Sequence, residues 1–248
     1  KYNEININKP FDQNIIKNSL KRDIIDYHSY VKNQIGEFND LTQKIMNELQ
    51  TYINRINSNY KAVLYGSRAT GLCLVWSDMD VVICQNIKKK ENFDFLEKLT
   101  NLLNEKYSFI QCIKYLNRAK IPIIKIITTK KYKNTMIDIT LQTDQHFGIE
   151  CVDLVKEYLN KYEVLEYLVY PLKTMLKFSE LNDPYNGGLS SYALILMTVY
   201  FLEFEKKINK NISVDNVGNL FYDFLFFYGG RKNTNYLDIN NIMNETKN

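Results

Sequence analysis

Residues 62–84 read AVLYGSRATGLCLVWSDMDVVIC, and the succession of residue types in this stretch decides how the chain folds. Val63, Leu64 and Tyr65 form a short apolar run of strand type. The run ends at Gly66-Ser67, and the residues between there and the next strand leave room for a helix of one or two turns. Asp78 and Asp80 stand two apart at the mouth of the apolar run Val81-Val82-Ile83, so on an extended backbone their carboxylates leave from the same face. Two carboxylates held side by side repel each other, and a cation between them removes that cost. Ligation by oxygen alone suits Mg2+, completed by substrate phosphates and water. Capping by Ser77-Asp78 would account for one aspartate and leave Asp80 unexplained.

A third carboxylate of the same character lies downstream in Met136-Ile137-Asp138-Ile139-Thr140-Leu141. Alternation puts Asp138, Thr140 and Gln142 on one face and Ile137, Ile139 and Leu141 on the other. An aspartate flanked by isoleucines is awkward in a core and reasonable as a metal ligand on a neighbouring strand. Asp144, in polar surroundings without alternation, and Asp153, on a helix, read as surface charge. The set Gly66-Ser67, Asp78-x-Asp80 and Asp138 resembles the nucleotidyltransferase superfamily of the DNA polymerase beta type. Residues 182–197, NDPYNGGLSSYALILM, narrow the resemblance. They are similar to the start of a helix in the central domain of template-independent RNA polymerases, namely Trf-type poly(A) polymerases and terminal uridylyltransferases. Ala119-Lys120-Ile121-Pro122-Ile123-Ile124-Lys125 is a further family-like segment, and the likeness covers roughly residues 11–228.

The resemblance implies an α+β chain: a polymerase-beta-like catalytic domain with a mixed sheet over residues 35–147, and a helical central (PAP-associated) domain made from 11–34 and 148–248, after an arm of residues 1–10. It implies two divalent ions, Mg2+ or Mn2+, on Asp78, Asp80 and Asp138, with Asp138 completing the site at the primer hydroxyl. Gly66 and Ser67 would grip the triphosphate. Lys173 and Lys177, four apart and so on one helix face, match the paired lysines that meet the β- and γ-phosphates. Ser191 matches a phosphate ligand and Tyr192 a residue stacking on the incoming base, while Ser190 reads as a helix cap. Plainer readings stand beside these: a strand-ending glycine turn at 66, solvated lysines on the helix, and a core aromatic at 192.

Composition sets wide bounds. With 248 residues and 45% hydrophobic and 24% charged residues, the chain has an ordinary globular balance and length for one large domain or two modest ones. A formal net charge of +4 argues only weakly for a nucleic-acid partner. Cys73, Cys84, Cys112 and Cys151 form no CxxC pair, which disfavours zinc and a disulfide framework and points to a reducing, intracellular compartment. No apolar run approaches the roughly 20 residues of a membrane span, and the start carries no signal pattern.

Along the chain, apolar spacing predicts one helix from near Phe11 and a second after Gly36, then strands at 108–116, 121–127 and 137–141, about five in all. Helices follow at 149–160, 164–178, 189–204 and 214–228. The run Lys88-Lys89-Lys90 lies in an expected solvated loop, 86–91. Uridylyl-specific relatives place a histidine late in the central domain to read uracil, whereas His28 and His146, the two histidines of the chain, stand elsewhere. The expected activity is therefore addition of nucleotides to RNA 3′ ends, from ATP in preference to UTP, with a protein partner as a further source of RNA grip. The rivals are uridylyl transfer, transfer to a non-RNA acceptor, and an inactive scaffold that binds RNA or protein.

Overall fold

A computed structural model describes residues 13–85, 94–105, 109–144, 146–208 and 210–229. The chain opens with helix α1, Gln13–Ile56, which runs without interruption through Gly36. The expected break there does not occur. A helical glycine costs only about 1 kcal/mol relative to alanine, whereas the spacing of the buried residues Val31, Ile45, Leu49 and Ile53 continues along one stripe. The arm at 1–10, the lysine run at 88–90 and the segment after Gly229 lie outside the described residues.

The next elements are β1 (Tyr60–Tyr65), α2 (Gly66–Thr70), β2 (Met79–Gln85), α3 (Asp94–Glu105), β3 (Ile110–Leu116), β4 (Ile123–Thr128) and β5 (Met136–Leu141). The five strands form one sheet in the order β1-β2-β5-β4-β3. Among the described residues only β2 and β5 pair in parallel, and the other pairings are antiparallel. This is the mixed sheet of an α+β fold that the sequence leads one to expect.

Alternation along the strands divides the sheet into two faces. On one, Val81, Ile139 and Ile124 are register neighbours across β2, β5 and β4, and all three are fully buried. They pack with Ile45, Leu49 and Ile53 of α1 and with Phe95, Leu96, Leu99 and Leu103 of α3. The amphipathic spacing of α3 gives it one such apolar face. Burial of this face anchors the strands whose opposite face carries the polar residues.

Four more helices complete the described chain: α4 (Gly148–Lys161), α5 (Val164–Phe178), α6 (Ser191–Lys207) and α7 (Val217–Gly229). The expected helix over 214–228 is a 3-10 turn at Val214–Asn216 followed by α7. The chain divides into two compact units, Val31–Glu157 and Lys1–Tyr30 with Tyr158–Asn248. The second has its own apolar interior, including Leu165, Leu168, Val169, Leu194, Val199, Phe201, Leu220 and Phe224.

Ile139→Ala tests the anchoring face. Removing a fully buried side chain between Val81 and Ile124 is expected to cost about 2–5 kcal/mol. The effect is read as a lower denaturant midpoint with an unchanged slope in chemical unfolding.

Candidate active site

The polar face of the sheet carries a row of register neighbours one residue wide. Tyr65 of β1 lies beside Asp80 of β2, Asp80 beside Asp138 of β5, Asp138 beside Lys125 of β4, and Lys125 beside Lys114 of β3. Lateral neighbours in a sheet project from the same side, so two carboxylates and then two ammonium groups stand in line. Asp78, just ahead of β2, adds a third carboxylate at the end of the strand. Asp78, Asp80 and Asp138 are all half-buried.

Gly66 explains how closely β1 and α2 approach this row. Its φ is +67°, and a Cβ placed there would fall 2.2 Å from Asp80 Oδ2. The position demands glycine twice over, for the backbone angle and for the space the carboxylate takes. Ser67 comes next, in the first turn of α2, and its carbonyl accepts a hydrogen bond from Thr70 Oγ1 at 3.1 Å.

Arg68 was not singled out from the sequence, and the structure gives it a specific task. Its Nη2 donates to the Ser77 carbonyl at 2.8 Å and its Nε to the Asp78 carbonyl at 3.2 Å. The guanidinium lies over the Phe38 ring, 5.6 Å from its centroid, and Lys133 Nζ is 4.3 Å from that centroid. Leu74 and Ser77 close the approach to Asp78 from the other side: Leu74 N–H donates to Ser77 Oγ at 2.9 Å and Ser77 N–H to the Leu74 carbonyl at 2.8 Å. The backbone that carries Asp78 is thus clamped. Burial lowers the pKa of Arg68, opposed by Cys73, Asp78 and Asp80, and an arginine so placed stays charged at neutral pH. No sequence pattern reveals this role, because the acceptors are main-chain carbonyls.

Lys125 closes the family-like segment 119–125, yet the sequence assigned it no task. Its Nζ lies 2.5 Å from Asp138 Oδ2. A signal for the pair exists. Ile124-Lys125-Ile126 and Ile137-Asp138-Ile139 each place one charge between isoleucines, and opposite charges so embedded in two strands are natural cross-strand partners. Among the described residues no group of three or more His, Cys, Asp or Glu side chains could hold a metal ion. Register sets Asp80 and Asp138 side by side, and the Asp138 carboxylate meets Lys125.

Thr140, two residues on from Asp138 and on the same face by alternation, is buried there. Its Oγ1 is 3.4 Å from His146 Nε2, and His146 sits edge-on to Tyr65 with ring centroids 4.8 Å apart. Burial, and secondarily Asp80, raise the Tyr65 pKa, while Thr140 acts against them and Asp138 with them. Burial also lowers the His146 pKa. This aromatic cover leaves the carboxylate row beside it half-open.

Lys173, Lys177, Ser191 and Tyr192 lie in the other unit. Lys173 is buried on α5 at 9% exposure, whereas Lys177, one turn on, is exposed. Ser190 is the cap of α6, its Oγ accepting from Ala193 N–H at 3.0 Å, so Ser191 and Tyr192 open the first turn. The loop before them depends on its two glycines. Gly187 has a φ of +83°, and a Cβ at Gly188 would fall 2.4 Å from the Leu181 carbonyl oxygen. That approach lets Gly188 N–H donate to the Asp183 carbonyl and Leu189 N–H to that of Leu181, both at 2.8 Å.

Known proteins share much of this chain. Residues 20–160 match the profile of the family described as "Poly(A) RNA polymerase, mitochondrial-like, central palm domain". The chain is 30% identical over 220 residues to poly(A) RNA polymerase protein 1 of Saccharomyces cerevisiae, covering 88% of this chain and 33% of that protein. It is 29% identical over 213 residues to the inactive non-canonical poly(A) RNA polymerase protein Trf4-2 of Drosophila melanogaster, covering 85% of this chain and 51% of that one. Among solved structures, the polymerase core of TRAMP, an RNA surveillance complex, superposes with a TM-score of 0.72 at 25% identity, over 87% of this chain and 66% of that one. The chain spans about a third to a half of the length of these curated relatives.

Gly66→Ala is expected to lower thermal stability by about 2 kcal/mol, since left-handed backbone alone costs a side chain roughly 1–2 kcal/mol. In a chain of this size that is about 4–8 °C in Tm. Calorimetry checks it, and an unchanged Tm would contradict the close packing of Gly66 on Asp80.

Proposed function

We propose, from the premise that the chain belongs to the family of the mitochondrial-like poly(A) RNA polymerase central palm domain, that it adds nucleotides to RNA 3′ ends without a template, from ATP in preference to UTP. The observation that carries the proposal is the pairing of Asp80 with Asp138 across β2 and β5, with Asp78 clamped by Arg68 at the strand's start. Asp78, Asp80 and Asp138 do not converge as a ready three-ligand cluster in this structure. What supports the reading is their donor type, oxygen without nitrogen or sulfur, which suits a hard divalent cation. We take the cations to be two, Mg2+ or Mn2+, on Asp78, Asp80 and Asp138. Such ions, when bound, offset triphosphate charge and acidify the attacking hydroxyl.

The chain's own residues divide the remaining work. Asp138 orients the RNA 3′-hydroxyl and accepts its proton. The backbone at Gly66 and the Ser67 hydroxyl grip the triphosphate. Lys173 and Lys177 supply point charges for the β- and γ-phosphates, Ser191 a further phosphate contact, and Tyr192 a stacking surface for the base. An inactive scaffold is the contrary reading, and the relative of that description gives it weight. Retention of all three aspartates with Gly66 and Ser67 favours the enzyme.

The preference for ATP rests on the histidines. His28 Nε2 lies 3.0 Å from Glu166 and its ring stacks on Tyr167 at 3.8 Å. His146 is held against Tyr65 and Thr140. Both are engaged where they stand, and stacking on Tyr192 supplies affinity without choosing a base.

Incubation with labelled RNA, Mg2+ or Mn2+ and each nucleotide in turn tests the activity. Asp80→Asn is expected to lower turnover by at least about a hundredfold with no loss of Tm, because the substitution also relieves repulsion among the carboxylates. Turnover near wild type in that variant would remove the metal assignment. In competition at equal concentrations, kcat/KM for ATP is expected to equal or exceed that for UTP. A UTP value more than about tenfold higher, roughly 1.4 kcal/mol of transition-state preference, would overturn the adenylyl assignment.

A further inference from the structure

The cation nearest Asp138 is part of the chain. Lys125 Nζ contacts Asp138 Oδ2 at 2.5 Å, with side-chain exposures of 49% for the lysine and 18% for the aspartate. The carboxylate is largely covered, while the lysine side chain is half-exposed at the solvent boundary. Lys114 is the next residue in the row and is exposed. One register step along the same face, Cys112, Ile127 and Met136 are neighbours across β3, β4 and β5. Ile127 and Met136 are exposed at 40% and 47%. The open half of the sheet thus presents two ammonium groups and an aliphatic strip leading away from Asp138, and no carboxylate in the row beyond it.

Phosphate with ribose and base is the chemistry that such a surface recognises. Ammonium groups meet backbone phosphates as point charges, and aliphatic side chains cover the faces of sugar and base. A divalent ion and Lys125 compete for one carboxylate. We infer that Lys125 is an exchangeable counter-cation of Asp138: a divalent ion that takes the carboxylate releases Nζ, which with Lys114 then holds the phosphates at the 3′ end of a bound RNA strand. The inference rests on the nucleotidyltransferase reading of the same site. It adds an order of events, in which ion binding at Asp138 and the RNA grip at Lys125 support each other, and it names the surface over which the strand runs.

The test measures binding without turnover, so it is separate from the question of activity. Mn2+ affinity is read by electron paramagnetic resonance, and affinity for a fluorescent oligoadenylate by anisotropy over a range of salt, with and without Mn2+. For Lys125→Met, Mn2+ binding is expected to tighten by up to about fivefold, the size of a half-exposed ion pair. RNA binding in the presence of Mn2+ weakens, with the slope of log affinity against log salt falling by about 0.7 for the lost phosphate contact. Lys114→Met is expected to weaken RNA alone and leave Mn2+ affinity unchanged. Lys125→Arg keeps the RNA contact. A purely structural Lys125 would weaken both ligands together, and that result, or unchanged affinity for both in Lys125→Met, overturns the inference. So does a wild-type chain whose RNA affinity is indifferent to Mn2+. A wild type that shows this coupling yet incorporates no nucleotide would refute the proposed activity and leave the exchange standing.

Discussion

Two carboxylates on neighbouring parallel strands, Asp80 and Asp138, impose the constraint to which the sheet-bearing unit answers. Adjacent strands lie about 4.8 Å apart, and at an effective dielectric near 20 two unit charges at that separation repel by about 3 kcal/mol. The arrangement survives because the strands that carry it are fixed from the opposite side. Val81, Ile139 and Ile124 form the buried counterpart of the charged row, one residue further along the same strands. Charge on one face is carried by apolar burial on the other. Lys125 supplies positive charge directly at Asp138, and the Arg68 guanidinium, hydrogen-bonded to the Ser77 and Asp78 carbonyls, supplies it beside Asp78.

Much of this was legible in the sequence because a strand has a period of two. Asp78-x-Asp80 and the alternation around Asp138 assign faces directly, and five strands with their order along the chain emerged from the same pattern. What alternation cannot give is the neighbour across a strand pair, since that depends on register over long separations. Lys125 was visible as a lone charge between isoleucines and still had no partner until β4 and β5 were seen side by side. Arg68 was harder. Its acceptors are the carbonyls of Ser77 and Asp78, and main-chain acceptors leave no trace in residue types.

Where the sequence reading erred, packing overrode a local signal. Gly36 interrupts helix propensity without interrupting the apolar stripe of α1, and burial along the stripe outweighs one glycine. Thr140 keeps the face that alternation gives it, and its cover by Tyr65 and His146 is a tertiary contact that residue types do not show. In the helical unit the loop ahead of α6 was read correctly as a stop, for a reason sharper than flexibility: Gly188 packs against a carbonyl where no side chain fits. Lys173 and Lys177 show the limit of spacing arguments. Four residues apart on one face, they differ in burial.

The strand order carries a consequence for how the protein assembles. β5 is last among the strands in the chain and lies third in the sheet, between β2 and β4. Until it arrives, β1 with β2 and β3 with β4 are separate antiparallel pairs, and the edges that β5 will fill are those of β2 and β4. Residues 86–135 separate β2 from β5, so the parallel pairing that joins the halves carries a large loop-closure entropy and belongs late in folding. Insertion of that one strand completes the hydrogen-bond ladder, buries Ile137 and Ile139, and brings Asp138 alongside Asp80. A nascent chain that has not yet produced residue 136 therefore holds Asp78 and Asp80 without the third carboxylate. The strand that closes the sheet is thus also the one that sets the third carboxylate beside Asp80.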